Sequence, residues 1–157
     1  MPVFISHSSA DDLAARRIRD FLASKGITCY LDGLDDSLRT VEDVTSAIES
    51  HLAKCTHLLA VVSNATRQSW WVPFEIGFGT ANHKRIATYR LQEVELPQYL
   101  TTWPILSTEG DLALYSRLYD EGKQWHCKTD WTTGRTALSF QTAADFHREL
   151  KQALGQA

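Results

Sequence analysis

The most restrictive stretch of this chain is His57-Leu58-Leu59-Ala60-Val61-Val62. A near-continuous apolar run of strand length suits a central strand covered on both faces, the pattern of parallel sheets. Other short runs agree with it. Val3-Phe4-Ile5, Ile27-Thr28-Cys29-Tyr30-Leu31 and, after Arg85, Ile86-Ala87-Thr88-Tyr89 are apolar, β-branched or aromatic, and a segment of helical period follows each of the first three strands. After the opening strand, Ser9 with Asp12 resembles a capping box. Leu13, Ala14, Ile18, Phe21 and Leu22 then recur at helical spacing until Lys25-Gly26. After the second strand, Thr40 is placed to cap a helix whose buried stripe is Val41, Val44, Ile48 and Leu52. Strands alternating with helices over short connections imply an α/β fold: a flavodoxin-like open parallel sheet of about five strands with helices on both faces.

Beyond residue 90 the pattern loosens. Leu96 to Leu100 suits a helical turn, Pro104-Ile105-Leu106 a short last strand, and 108–121 a helix stopped by Gly122. Residues 123–140 carry no assignable period. Thr142 and Asp145 then suggest a cap before Phe146, Leu150 and Leu154. No linker divides residues 1–157, so a single domain is expected.

Composition narrows the function classes. The chain has 157 residues, 43% of them hydrophobic, and a formal charge of −3, which leaves no basic footprint for nucleic acid. No long apolar span or signal-peptide pattern is visible, so no membrane role and a cytoplasmic location are expected. Cys29, Cys55 and Cys127 are odd in number and scattered, as reduced thiols are. His126-Cys127 lacks further ligands at zinc spacing, so no metal is expected.

The candidate chemistry lies in Ser69-Trp70-Trp71-Val72-Pro73-Phe74-Glu75-Ile76-Gly77. Ser69 is a candidate N-cap, and Pro73 is tolerated only near a first turn. On that helix Trp71 and Glu75 are i and i+4, so an indole and a carboxylate share a face. That is a ring-binding arrangement; the alternative is that Trp70, Trp71 and Phe74 pack in the core and Glu75 is solvated. Open parallel sheets bind ligands outside the carboxyl ends of their strands. The Ser6-His7-Ser8-Ser9 loop, Asp32 and the 63–75 segment all follow strand ends and should converge there. Ser8 or Ser9 as a helix cap, His7 as a turn residue and Arg39 as a solvated charge stay open as alternatives.

Four landmarks in order resemble those of Toll/interleukin-1 receptor (TIR) domains. They are Phe4-Ile5-Ser6-His7-Ser8-Ser9-Ala10-Asp11, Gly26-Ile27-Thr28-Cys29-Tyr30-Leu31-Asp32, Leu58 to Ser63, and Trp71-Val72-Pro73-Phe74-Glu75. The resemblance covers residues 2–90 well and the rest more loosely, in the manner of compact stand-alone bacterial TIR proteins. The Arg-Asp-x-x-Pro-Gly box of animal receptors is absent between Asp32 and Thr40, which argues against receptor-style adaptor signalling.

The resemblance implies an enzyme that cleaves the nicotinamide-ribose bond of NAD⁺, an NAD⁺ glycohydrolase or ADP-ribosyl cyclase, with NAD⁺ as substrate and no cofactor. It implies Glu75 as the catalytic carboxylate and Trp71 as a wall for the ribose. Ser6, His7 and Ser8 would face the ligand, Asp32 would bond the nucleotide and Arg39 would contact phosphate. It also implies TIR-TIR self-association through the 33–40 loop, and a separate effector protein responding to the product, as in anti-phage (Thoeris-type) defence. A non-catalytic TIR interaction module is the competing expectation.

Overall fold

The computed structural model of the protein describes residues 1–31, 41–91, 93–125 and 142–156, except the side chains of 41–44, 124 and 125. Strands β1 (Val3–Ser6), β2 (Cys29–Leu31), β3 (His57–Val62), β4 (Arg85–Arg90) and β5 (Ile105–Leu106) form one sheet in the order β2-β1-β3-β4-β5, every pair parallel. Helices α1 (Asp12–Ser24), α2 (Val41–Lys54), α3 (Trp71–Ala81), α4 (Glu109–Trp125) and α5 (Ala143–Ala153) surround it. The expected α/β sheet of five parallel strands is therefore present. β3 is buried at all six positions, as its unbroken apolar run requires.

Strand alternation divides the core into two layers. Val3, Ile5, Leu59, Val61, Ala87 and Leu106 pack with residues of α1, α4 and α5. Phe4, Leu58, Ala60, Val62 and Ile86 pack with residues of α2 and α3. In the second layer Gly79 of α3 lies against the sheet: a Cβ there would stand 3.3 Å from Leu58 Cδ2, a tight contact to which that side chain would have to yield. Gly77, on the same helix, has nothing within 4 Å of such an atom.

Several local expectations change. Leu13 is 66% exposed, because the buried stripe of α1 is Ala15, Ile18 and Leu22 and Leu13 falls outside its arc. The Ser9/Asp12 capping box does not form. A 3₁₀ turn, Ser9–Asp11, precedes α1, and Ser8 caps it by accepting from Ala10 N at 3.4 Å. Gly122 does not stop α4, which carries it buried in its last turns: packing outweighs the roughly 1 kcal/mol that glycine costs inside a helix. The Thr142/Asp145 box does form at the start of α5, with Asp145 N donating to Thr142 Oγ1 at 3.1 Å. Thr40, Cys127 and most of 123–140 lie outside the described residues.

Side chains finish the sheet where β5 is too short to do so. Ile86 N donates to His147 Nε2 at 2.8 Å, and Ile105 N donates to Gln156 Oε1 at 3.0 Å. These occupy edge donors that would otherwise be exposed.

Candidate active site

Because every strand runs the same way, the loops after β1 and β3 leave from the same edge and face each other. Between them lies a cleft of about 390 Å³, walled by His7 to Ala10 on one side and by Ala65 and Gln68 to Trp71 on the other. A buried tie joins the two walls. Ser63 Oγ donates to Asp11 Oδ2 at 2.8 Å, across 52 positions of sequence, and both residues are buried. Ser63 also caps the Asn64–Gln68 3₁₀ turn: its Oγ accepts from Ala65 N at 3.0 Å while its own N donates to Thr66 Oγ1 at 3.0 Å. Beyond their places in the family landmarks, the sequence pattern assigns neither Ser63 nor Asp11 a role. The Ser63-x-x-Thr66 spacing was the available signal for the cap.

The expected site residues divide into three groups. His7, Ser8 and Trp71 are brought together as cleft walls. His7 is buried, with Nδ1 3.5 Å from Ile5 O and Nε2 3.4 Å from Asp12 Oδ1. The Arg16 Nε hydrogen bond at 2.7 Å is the main reason the Asp12 carboxyl lies below its ordinary range, with His7 assisting. Asp32 and Arg39 lie outside the described residues.

Ser6 and Glu75 form the third group, and here the geometry corrects the expectation. Ser6 is the last residue of β1 rather than a loop residue, and it is 0% exposed. Glu75 was expected at the lip of the cleft; it is also 0% exposed, on the face of α3 that carries Val72, Ile76 and Gly79. The cleft wall reaches Trp71, one turn earlier, and stops there. The alternative of aromatic packing around a solvated acid is reversed as well. Trp70 is 90% exposed and Phe74 38%, while the acid is inside. The physical reason is phase: Glu75 shares an arc with Val72, Ile76 and Gly79, and that arc faces the sheet. Ser69 does serve the start of α3, accepting from Val72 N at 3.4 Å, although Trp70 holds the cap position itself.

A second cavity of about 250 Å³ lies on the other flank of α3. Val62, Val72, Ile76, Val94 and Leu100 line it together with Ser63, Thr66, Arg67 and Tyr99. Ser69 borders both spaces.

Chemically, the cleft offers an aromatic wall, an imidazole and hydroxyls, and none of its described walls is an acid. That is unlike the paired carboxylates that ordinary glycosidases place around a scissile bond. Among the described residues no group of three His, Cys, Asp or Glu side chains is placed to hold a metal ion, and no helix is long and apolar enough to cross a membrane.

Known proteins resemble parts of this chain. The chain is 20% identical over 89 residues to a Bacillus cereus (strain MSX-D12) protein named as a probable 3' cyclic ADP-D-ribose synthase, ThsB'. That match takes in 54% of this chain and 46% of the relative, so the chain spans about half the length of the curated relative it matches. The solved structure of the Clostridium botulinum CMP N-glycosidase BcmB is similar in fold, with a TM-score of 0.50 and 21% identity, covering 77% of this chain and 99% of that one. The family model described as the TIR domain matches residues 3–119. With the five-stranded parallel sheet and the landmarks from Phe4 to Glu75 in place, the chain belongs to the TIR-domain family.

Proposed function

We propose that the protein cleaves the nicotinamide-ribose bond of NAD⁺, with Glu75 as its catalytic carboxylate. One observation carries the reading: a glutamate held in the interior of α3, one turn behind the Trp71 wall of the cleft, in a TIR-family chain. The relative named as a cyclic ADP-ribose synthase supports it at a distance.

The chemistry needs little more. The C1'–N bond breaks with its electron pair going to the pyridinium nitrogen, so nicotinamide leaves neutral and requires no strong general acid. Positive charge develops on the ribose, and a carboxylate in a dry site stabilises it far more than one in water. Water adds to C1' and loses a proton to give ADP-ribose; alternatively a hydroxyl or ring nitrogen of the same molecule adds and gives a cyclic product. His7, Ser8 and Trp71 hold the nicotinamide riboside half. At about 390 Å³ the cleft is near the small end of ligand pockets, so the nucleotide half extends beyond it; contacts from Asp32, Arg39 and a neighbouring TIR copy to that half belong to the same proposal. Glu75 is 0% exposed behind the Trp71 wall, so productive binding must uncover its carboxyl. A cyclic product would act on a separate effector in anti-phage defence.

The test is nicotinamide release from NAD⁺ at protein concentrations that promote self-association, with the nucleotide product identified by mass spectrometry. Glu75→Gln should abolish release with its melting temperature intact; equal turnover would remove Glu75 from the mechanism.

A second reading, a non-catalytic interaction module, is favoured by Trp70, whose indole is 90% exposed beside the cleft. It requires that Trp70→Ala prevent self-association while neither Glu75→Gln nor the wild type differs in NAD⁺ turnover from buffer.

A further inference from the structure

Register and helix phase place Glu75 over one polar rung of the sheet. Ser6 pairs with Ala60, and Ala60 pairs with Thr88. By alternation these three residues share the face that carries Phe4, Leu58 and Ile86, the rung below. Gly79 sits on that lower rung, within 3.3 Å of Leu58 Cδ2 and 3.6 Å of Ile86 Cδ1 for an added Cβ. As the crossover between parallel strands, α3 runs antiparallel to them. Four residues back from Gly79, Glu75 is therefore about 6 Å nearer the carboxyl edge. The rung spacing is about 6.6 Å for two strand residues, so Glu75 lies level with Ser6, Ala60 and Thr88.

Phase then chooses between the ends of the rung. Trp71 faces the cleft beside His7, on the β1 side, whereas Val72 and Ile76 face the second cavity beside Val94 and Leu100, on the β4 side. Glu75 is about 40° around the helix from Trp71, so it leans toward β1 and Ser6. Ser6 Oγ is buried and has no hydrogen-bond partner among the described residues, a condition buried hydroxyls rarely keep. Ala60, between the two hydroxyls, has the smallest side chain on the rung and leaves space above it.

We infer that Ser6 is a positioning residue for Glu75 rather than a substrate contact: its hydroxyl, re-aimed by one χ1 step, donates to the Glu75 carboxylate when ligand opens the cleft. A χ1 step moves Oγ by about 120° and leaves the backbone in place. The kinetic consequence rests on the reading of Glu75 as the catalytic carboxylate; the contact itself does not. Thr88, at the far end of the same rung, is the internal control.

The test compares Ser6→Ala, Ser6→Cys, Ser6→Thr, Thr88→Val and Glu75→Gln as full-length proteins. Losing a donor to a carboxylate raises its pKa. In Ser6→Ala the acid limb of the kcat profile for NAD⁺ cleavage should therefore move up by about one pH unit, with kcat about tenfold lower at pH values on that limb and KM unchanged. Ser6→Thr should restore the limb, Ser6→Cys should fall between, and Thr88→Val should leave it in place. A side-chain carboxyl ¹³C titration of Glu75, assigned with Glu75→Gln and repeated with ADP-ribose bound, gives the same comparison without turnover. An unmoved Glu75 titration in Ser6→Ala and Ser6→Cys overturns the inference, as does a KM rise with an unmoved limb or an equal shift in Thr88→Val. If Glu75→Gln turns over like the wild type, the proposed function falls and the titration still decides Ser6.

Discussion

The two faces of the sheet are built from the same strands and serve different ends. Toward α1, α4 and α5 the sheet presents aliphatic side chains that meet Tyr115, Tyr119 and Phe146, with His57 enclosed among those rings. Toward α2 and α3 it is equally buried, yet the carboxyl edge of that layer holds Ser6, Thr88 and Glu75, all 0% exposed. Each polar side chain held there stands where an apolar one would have added to the core. The first face maximises apolar contact; the second gives up part of it where the cleft begins.

Breaking each face should therefore give opposite results. Phe146→Ala removes a fully buried ring that touches His57 and Tyr115. It should cost about 3–5 kcal/mol in urea unfolding, with turnover per folded molecule unchanged. Glu75→Gln, on the other face, should lower NAD⁺ cleavage at least about 100-fold, or about 2.7 kcal/mol in the barrier, while thermal melting stays level or rises. A Glu75→Gln protein that melts much lower, or a Phe146→Ala protein that is stable but inactive, would erase the distinction.

Acid should act on the first face before the second. Burial drives the His57 pKa well below its ordinary value, with Arg85 and the N-terminus adding to the effect, and burial holds His147 down at about 4. Unfolded histidine titrates near 6.5. Below that pH the unfolded chain takes up protons that the native state refuses, so stability is whole above about pH 6.5 and is lost as pH falls toward 4. Unfolding free energies from urea titration should drop between pH 7 and pH 5 by an amount on the order of 2 kcal/mol, and His57→Phe should flatten much of that slope. Asp12 and Asp145, whose pKa values are lowered by the Arg16 bond and the Thr142 bond respectively, lose their contributions only below about pH 4 and do not blur this window. A His57→Phe protein with the wild-type slope would show that the enclosed imidazole is not the acid-sensitive element.

Much of this was legible in the residues. The unbroken run from His57 to Val62 dictated a central strand, and the β-α alternation dictated a parallel sheet with its loops gathered at one edge. That logic placed His7, Ser8 and Trp71 around one cleft. What escaped depends on phase and on distant partners. The 3.6-residue turn that brings Trp71 next to Glu75 also turns the carboxyl inward, because Val72, Ile76 and Gly79 hold α3 against the sheet. Ser6 reads as a loop residue in the sequence because strand ends are set by pairing, and Ala60 extends β1 by one position. Leu13 fits the apolar pattern of α1, yet it lies across the helix from Ala15, Ile18 and Leu22 and faces solvent. Asp11 and Ser63 are 52 positions apart, and no periodicity reports such a pair.

That pair supports the smallest prediction, and it sharpens the boundary between the two faces. Ser63 Oγ donates to the buried Asp11 carboxylate and accepts from Ala65 N, so one hydroxyl fixes both walls of the cleft. Ser63→Ala leaves the carboxylate one donor short and frees the turn that leads into Trp71. The expected cost is about 1–2 kcal/mol of stability. KM for NAD⁺ should rise about threefold to tenfold with kcat nearly unchanged, since the walls bind and Glu75 reacts. Asp11→Asn should act in the same direction, and a double-mutant cycle should return a coupling of about 1 kcal/mol. Additive losses would mean that the two loops are placed independently. A fall in kcat equal to that in kcat/KM would mean instead that the tie supports Glu75 itself, and that the cleft walls and the polar rung of the α3 face form one unit.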